Sequence, residues 1–234
     1  MPSISFVQSN GVASAPGLSP ALAFGSNVLA GSLLVAYYSS LDSPSANLDA
    51  SLVLTDSTGG TWRQYGATAF DPSVSGSWIR QFYCLTAIGG ATTVTATCVN
   101  ASGAQCALVI AEFTKPSTLI PFAVEQRNIN SPSPGNVLTP TLTLPGPGLM
   151  VAAYESNRTD MAIDPGTFTA LPDQLATGCN IVWAYALNPQ LATRCSWTKT
   201  AALTTRGGNQ IMAFLDSAGF AARPKPLGGK GASW

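Results

Sequence analysis

The stretch "GSLLVAYYSS" (residues 31–40) returns as "PGLMVAAYES" (residues 147–156), with Leu, Val, Ala, Tyr and Ser kept in place. A chain that writes one strand twice must fold into something with two equivalent places for it. Further matches follow in the same order. "TDSTGGTW", with Asp56, Gly60, Thr61 and Trp62, parallels "IDPGTF", with Asp164, Gly166, Thr167 and Phe168. Both read as a turn followed by a strand that opens on an aromatic. "QFYCL" (81–85) parallels "WAYAL" (183–187) through Tyr83/Tyr185 and Leu85/Leu187. Ala91-Thr92 matches Ala192-Thr193, and "VIAEF" (109–113) parallels "IMAFL" (211–215).

Turn-forming clusters punctuate the whole chain, among them "APGLSP", "DSPSAN", "DPSVSG", "NASG", "SPSPGN" and "LPGPG". Short runs rich in Val, Ile, Thr, Tyr and Trp lie between them, and no segment holds a helical apolar period. The expected fold is therefore all-β: a single, jelly-roll-like β-sandwich built from two related halves. It should cover residues 1–216, with an internal repeat of about 31–113 and 147–215, followed by an extended C-terminal arm, 217–234. The competing arrangement is two independent immunoglobulin-sized domains. The single sandwich is favoured because the second copy is short. In addition, the connector "KPSTLIPFAVEQRNINSPSPGNV" holds a strand-like "FAVEQ".

The segments "AGSLLVAYYSS", "LVLTDSTGGTWRQY", "FYCLTAIGGATTVTATC" and "ALVIAEF" resemble a family of β-sandwich modules found in bacteriophage virion proteins and bacterial surface proteins. The resemblance covers roughly residues 3–218. Its shared motifs are structural, so it implies fold and setting and transfers no catalytic residue. Gly60 stands where the family usually has Asn. Because both residues tolerate left-handed backbone, the turn chemistry is expected to survive.

Composition narrows the function classes. Charged residues make up 9% of the chain, against about 25% in ordinary soluble proteins. The net charge is zero and there is no histidine. Nucleic-acid binding needs clustered Lys and Arg, so none is expected. Apolar runs such as "LLVAYY" have strand length and fall short of a membrane span, so no membrane is expected either. The N-terminus has neither a basic nor an apolar leader region, which points to cytosolic synthesis. Five cysteines are an odd number, and free thiols are expected. A hairpin turning at "NASG" would set Cys98 opposite Cys106.

Without histidine, the Ser-His-Asp and Cys-His nucleophile systems are excluded. "GGKGAS" lacks the spacing of a phosphate loop. Asp160 and Asp164 could form a carboxylate pair and Asp56 could ligate calcium, but both patterns read better as turn residues. No cofactor is expected. Of the tryptophans, Trp78 is the candidate for an exposed ring that stacks on a sugar, whereas Trp62 and Trp183 sit in repeat-matched strands and read as core.

Two features bear on partners. "LLVAYY", "LMVAAY", "CALVIA" and "IMAFL" are apolar on both faces. Their second face must be covered either by loops of the same chain or by another subunit. Subunit cover would make the chain a homo-oligomer, with a trimer favoured. The arm carries Phe220, Arg223, Lys225, Lys230 and Trp234 and no acid. It is expected to order on a neighbour, with Phe220 and Trp234 as anchors and Arg223 and Lys225 as positioning charges.

The leading expectation is a non-enzymatic structural protein of the virion surface, a capsid decoration protein bound to other virion subunits. The alternatives are a receptor- or carbohydrate-binding module of a tail or cell surface, and a polysaccharide-active enzyme on a jelly roll.

Overall fold

The computed structural model describes residues 3–14, 19–41, 52–70, 77–98, 105–131, 136–156, 161–164, 166–172, 174–176, 179–189, 192–199 and 205–219. The first half contains β1 (Ser5–Ser14), β2 (Ala21–Ala23), β3 (Leu33–Leu41), β4 (Leu52–Asp56), β5 (Arg63–Gln64), β6 (Ala69–Phe70), β7 (Ser77–Cys84), β8 (Thr93–Cys98) and β9 (Cys106–Thr114). The second half begins with β10 (Leu119–Ser131), β11 (Val137–Leu138), β12 (Leu142–Thr143), β13 (Gly148–Ser156), β14 (Met161–Ile163) and β15 (Thr169–Ala170). It continues with β16 (Gln174–Ala176), β17 (Cys179–Leu187), β18 (Ala192–Thr193), β19 (Ser196–Lys199) and β20 (Thr205–Asp216). One 3-10 turn, Ser217–Gly219, follows.

The fold is all-β and antiparallel, as the turn spacing requires. Each half has a large sheet, ordered β1-β9-β3-β7-β5 in the first and β10-β20-β13-β17-β15 in the second. A small sheet covers the outer side of each: β2-β8-β4 over the first, and β11-β19-β14 with β12-β18 over the second. In each half the first strand lies beside the last, and β3 or β13 lies between the last strand and β7 or its equivalent β17. This is the wrapped connectivity of a jelly roll. Each copy is thus a complete jelly roll, and the two large sheets then pack on each other as a further sandwich. The expected all-β sandwich architecture is present, but each copy has a small sheet and a core of its own, so there is more than the one two-sheet sandwich anticipated.

The repeat is longer than its sequence signal. β1 and β10 are equivalent: both pair with the last strand of their half, and both carry a bulge after the residue that faces a Phe of that strand. Phe6 faces Phe113, and the register shifts before Gln8. Pro121 faces Phe214, and the register shifts before Ala123. "FAVEQ" is therefore no part of a connector but lies in the opening strand of the second copy. Leu33 faces Phe113 and Leu149 faces Phe214, so Phe113 corresponds to Phe214. The sequence pairing of "VIAEF" with "IMAFL" sets Phe113 against Leu215. It slips by one residue, which in a strand exchanges the two faces.

The two-faced strands now have an explanation. Alternate residues of β3, β9, β13 and β20 enter a core shared by the halves, including Leu33, Val35, Val109, Phe113, Leu149, Val151, Met212 and Phe214. The other alternates enter the separate core beneath each small sheet: Leu34, Ala36, Leu108 and Ile110 in one half, and Met150, Ala152, Ile211 and Ala213 in the other. The outer face is covered by sheets of the same chain. Loops are not the cover, and this face does not call for a second subunit.

The shared core repeats its contacts about a pseudo-twofold. Phe113 meets Tyr185 edge-on at 5.4 Å and 71°. The equivalent pair, Phe214 and Tyr83, meets at 5.6 Å and 78°. Such edge-to-face pairs are the preferred aromatic geometry. The Tyr37 hydroxyl donates to the Val151 carbonyl across the halves at 2.8 Å. The halves also approach closely at Gly208, where a Cβ would lie 2.7 Å from the Ala69 carbonyl carbon.

Candidate functional site

Where the pseudo-symmetry fails, it opens a groove. Phe6 of the first half stacks on Tyr185 of the second, with ring centroids 5.3 Å apart and planes at 15°. The residue equivalent to Phe6 is Pro121, which presents a small ring at the corresponding place beside Tyr83. The result is a groove of about 480 Å³ lined by Thr61, Arg63, Tyr83, Leu85, Thr86 and Pro121. Tyr83 is held from behind by Tyr65 at 5.3 Å and 70°. Burial, then the neighbouring Tyr83, pushes the Tyr65 phenol up to about 12, and Tyr65 is hydrogen-bonded to the main chain of the bulge residue Phe122. Tyr65 thus ties the first half to the bulge of the second. Exposed Ile120 and Phe122 continue an apolar strip along β10.

Trp78 is not an exposed stacking residue. It is 2% exposed, beneath the small sheet of the first half. Its ring lies 5.3 Å from that of Tyr38, with the Arg80 guanidinium 5.6 Å from its centroid. Strand alternation explains this, because Trp78 shares the outward face of β7 with Phe82 and Cys84, which β2-β8-β4 covers. Arg80 on that face is also buried, and it donates to the Thr68 hydroxyl from Nε at 2.9 Å and Nη2 at 2.8 Å. Burial lowers its pKa to about 10. Trp183 is buried as expected, and Trp62 is half-buried.

Asp56 holds its turn together. Its carboxylate accepts the Thr58 main-chain and side-chain donors at 2.9 and 2.7 Å, the Gly60 N–H at 3.1 Å and the Trp62 indole at 2.7 Å. The left-handed residue of this turn is Gly59, at φ 82°. Gly60 is needed for a different reason from the one expected, since a Cβ there would collide with the Asp56 carboxylate. Burial alone would raise the Asp56 pKa. The hydrogen bonds from Thr58, Gly60 and Trp62 outweigh it and bring the pKa below the usual carboxylate value. A depressed folded pKa contributes stability above the unfolded value and loses it as pH falls. The wild-type melting midpoint should therefore drop below about pH 4. Asp56→Asn should cost about 1–3 kcal/mol at neutral pH and flatten that acid limb. Thermal unfolding of both proteins from pH 3 to 7 checks this.

Asp164 is likewise a turn residue, accepting from the Ser196 and Thr198 hydroxyls and from Asn136. Asp160 lies outside the described residues, as do Phe220, Arg223, Lys225, Lys230 and Trp234 of the arm. Cys98 and Cys106 lie in different sheets, β8 and β9, so no hairpin sets them opposite each other. Cys84, Cys98, Cys106 and Cys195 are buried free thiols. Burial pushes the Cys195 thiol well up. Thiol reagent should therefore titrate all five cysteines in denaturant, while these four resist it in the native protein. Rapid native reaction of Cys195 would contradict its placement.

Glu112 was not singled out by the sequence. Fully buried on the outward face of β9, it accepts the Leu29 N–H at 2.7 Å, the Ser32 hydroxyl at 2.9 Å and the Gln8 amide at 2.7 Å. It clamps the loop before β3 to β1. Ala213 holds the equivalent place in the second half, so the repeat carries no trace of it.

No family model, curated protein or solved structure matches the chain.

Proposed function

We propose that the chain is a non-enzymatic structural protein of a bacteriophage particle, an outer capsid decoration protein at the virion surface. The observation that carries this reading is where the resemblance motifs fall. "AGSLLV" forms the entry and body of β3, "TDSTGGTW" the turn after β4, "GGATTVT" the entry to β8 and "ALVIAEF" β9. These segments build layers and turns. The scarcity of charge supports the same reading, because permanent interfaces are depleted in charge. The mechanism is linkage: a protein that binds the assembled lattice and not the free subunit shifts the equilibrium toward the lattice. The arm, through Trp234, Arg223 and Lys225, supplies part of the attachment to neighbouring virion subunits, and a trimeric homo-oligomer supplies the rest. The glycan-binding alternative loses its main support with the burial of Trp78.

The test uses gradient-purified particles and unassembled capsid subunits from cells producing the phage whose genome encodes the chain. The purified chain should co-sediment with particles, leave subunits unbound and raise the particle melting temperature. Absence of the chain from particles, with no binding to stripped ones, would overturn the reading. Light scattering reports the oligomeric state, and a persistent monomer both in solution and on particles would remove the trimer.

A further inference from the structure

We propose that Gln81 and Gln210 hold a buried water molecule between the two halves, hydrogen-bonded to both side-chain amides. This inference does not depend on the virion reading.

Strand alternation puts Gln81 on the face of β7 that carries Ile79 into the shared core, and Gln210 on the face of β20 that carries Met212. Both glutamines are fully buried. Nε2 of Gln210 donates to the Ala67 carbonyl at 2.7 Å. Its Oε1, and both Oε1 and Nε2 of Gln81, are buried with no hydrogen-bond partner among the described residues. Buried amide atoms left that way are costly, and native interiors supply them with a protein or water partner.

One turn touches both side chains. Ala67 accepts from Gln210, and a Cβ on its neighbour Gly66 would lie 3.6 Å from Gln81 Nε2. The Tyr65 N–H, one residue earlier, donates to the Gln81 carbonyl at 3.0 Å. The three free atoms suit a single water. Seated in the fork of the Gln81 amide, it accepts from Nε2 and donates to Oε1, and its second hydrogen goes to Gln210 Oε1. About three hydrogen bonds are usual for a buried water. Gly66 and Ala67 are exposed, so the path from solvent is short.

The repeat shows what the pair of amides does. Gln81 faces Tyr37, which faces Val109; in the other half Trp183 faces Ala153, which faces Gln210. Gln81 is thus equivalent to Trp183, and Gln210 to Val109. The equivalent couple needs no water, because Val109 is apolar and the Trp183 indole donates to the Pro172 carbonyl. A first half mated with a copy of itself would set Gln81 against Val109. The amides are satisfied together only when a first half meets a second, so the water joint favours that pairing.

A high-resolution crystal structure of the full chain tests this. The expected result is an ordered water within hydrogen-bond distance of the Gln81 amide and of Gln210 Oε1. Amides bonded directly to each other, or to other groups of the chain with no water between, would overturn the proposal. Gln81→Met, nearly the same in shape, gives a second readout. It removes two of the water's three bonds and leaves Gln210 Oε1 orphaned, so the melting temperature should fall by about 2–4 °C. Were no water there, the same substitution would relieve two orphaned atoms, and an unchanged or raised melting temperature would overturn the proposal. Should Gln81→Met fail to fold, the wild-type density decides.

Discussion

Trp183→Ala will lower the stability of the whole chain by about 3–5 kcal/mol, the cost of removing a large aromatic from a closed core. Trp183 is 1% exposed and meets Tyr37 of the other half at 6.3 Å and 74°. Its indole donates to the Pro172 carbonyl at 2.8 Å. The substitution opens a cavity between the halves and orphans that carbonyl. Denaturant unfolding should show a large fall in midpoint with little change in slope. A loss below about 1 kcal/mol would mean that the halves are not closely packed there.

The second large effect concerns the halves taken separately. Residues 1–118 contain every strand of one jelly roll, yet their large sheet would present Leu33, Val35, Tyr37, Ile79, Val109 and Phe113 to water. Each such side chain is worth about 1.5–3 kcal/mol on burial. Their joint exposure costs on the order of 10 kcal/mol, comparable with the entire stability of a domain. The fragment should be insoluble or should unfold without a cooperative transition, and residues 119–234 should behave in the same way. A soluble, cooperatively folded monomer of either fragment would show the halves to be independent domains.

The parts of this architecture legible in the sequence were those with strong local patterns. β3 and β13 stood out because strands buried on both faces are continuously apolar and tolerate little change. β10 was hidden because a proline and a bulge interrupt its alternation, although its register with β20 is that of β1 with β9. The small sheet of the second half was also hard to see, since it is divided between β11-β19-β14 and β12-β18, pieces too short to show a period. Trp78 misled because it follows a turn-rich stretch, and only the layer above β7 decides that its face is buried. The groove could not be found in the sequence at all. Its wall holds Pro121 where β1 has Phe6, and the equivalence of those two strands is visible only through their pairing partners.

The two hydrogen-bonded carboxylates of the first half divide in the same way. Asp56 was readable as a turn cap because its donors lie within six positions of it. Glu112 was not, because Gln8, Leu29 and Ser32 reach it from far along the chain.

The shared core is most directly tested by denaturant unfolding of the intact chain, followed with one probe in each half. Trp62 and Trp78 report on the first half, and Trp183 and Trp197 on the second. In two variants, each keeping the tryptophans of one half and carrying Phe at the other positions, the transitions followed by fluorescence and by circular dichroism should coincide. That is the signature of one cooperative unit. Two separated transitions, one for each half, would contradict a common core.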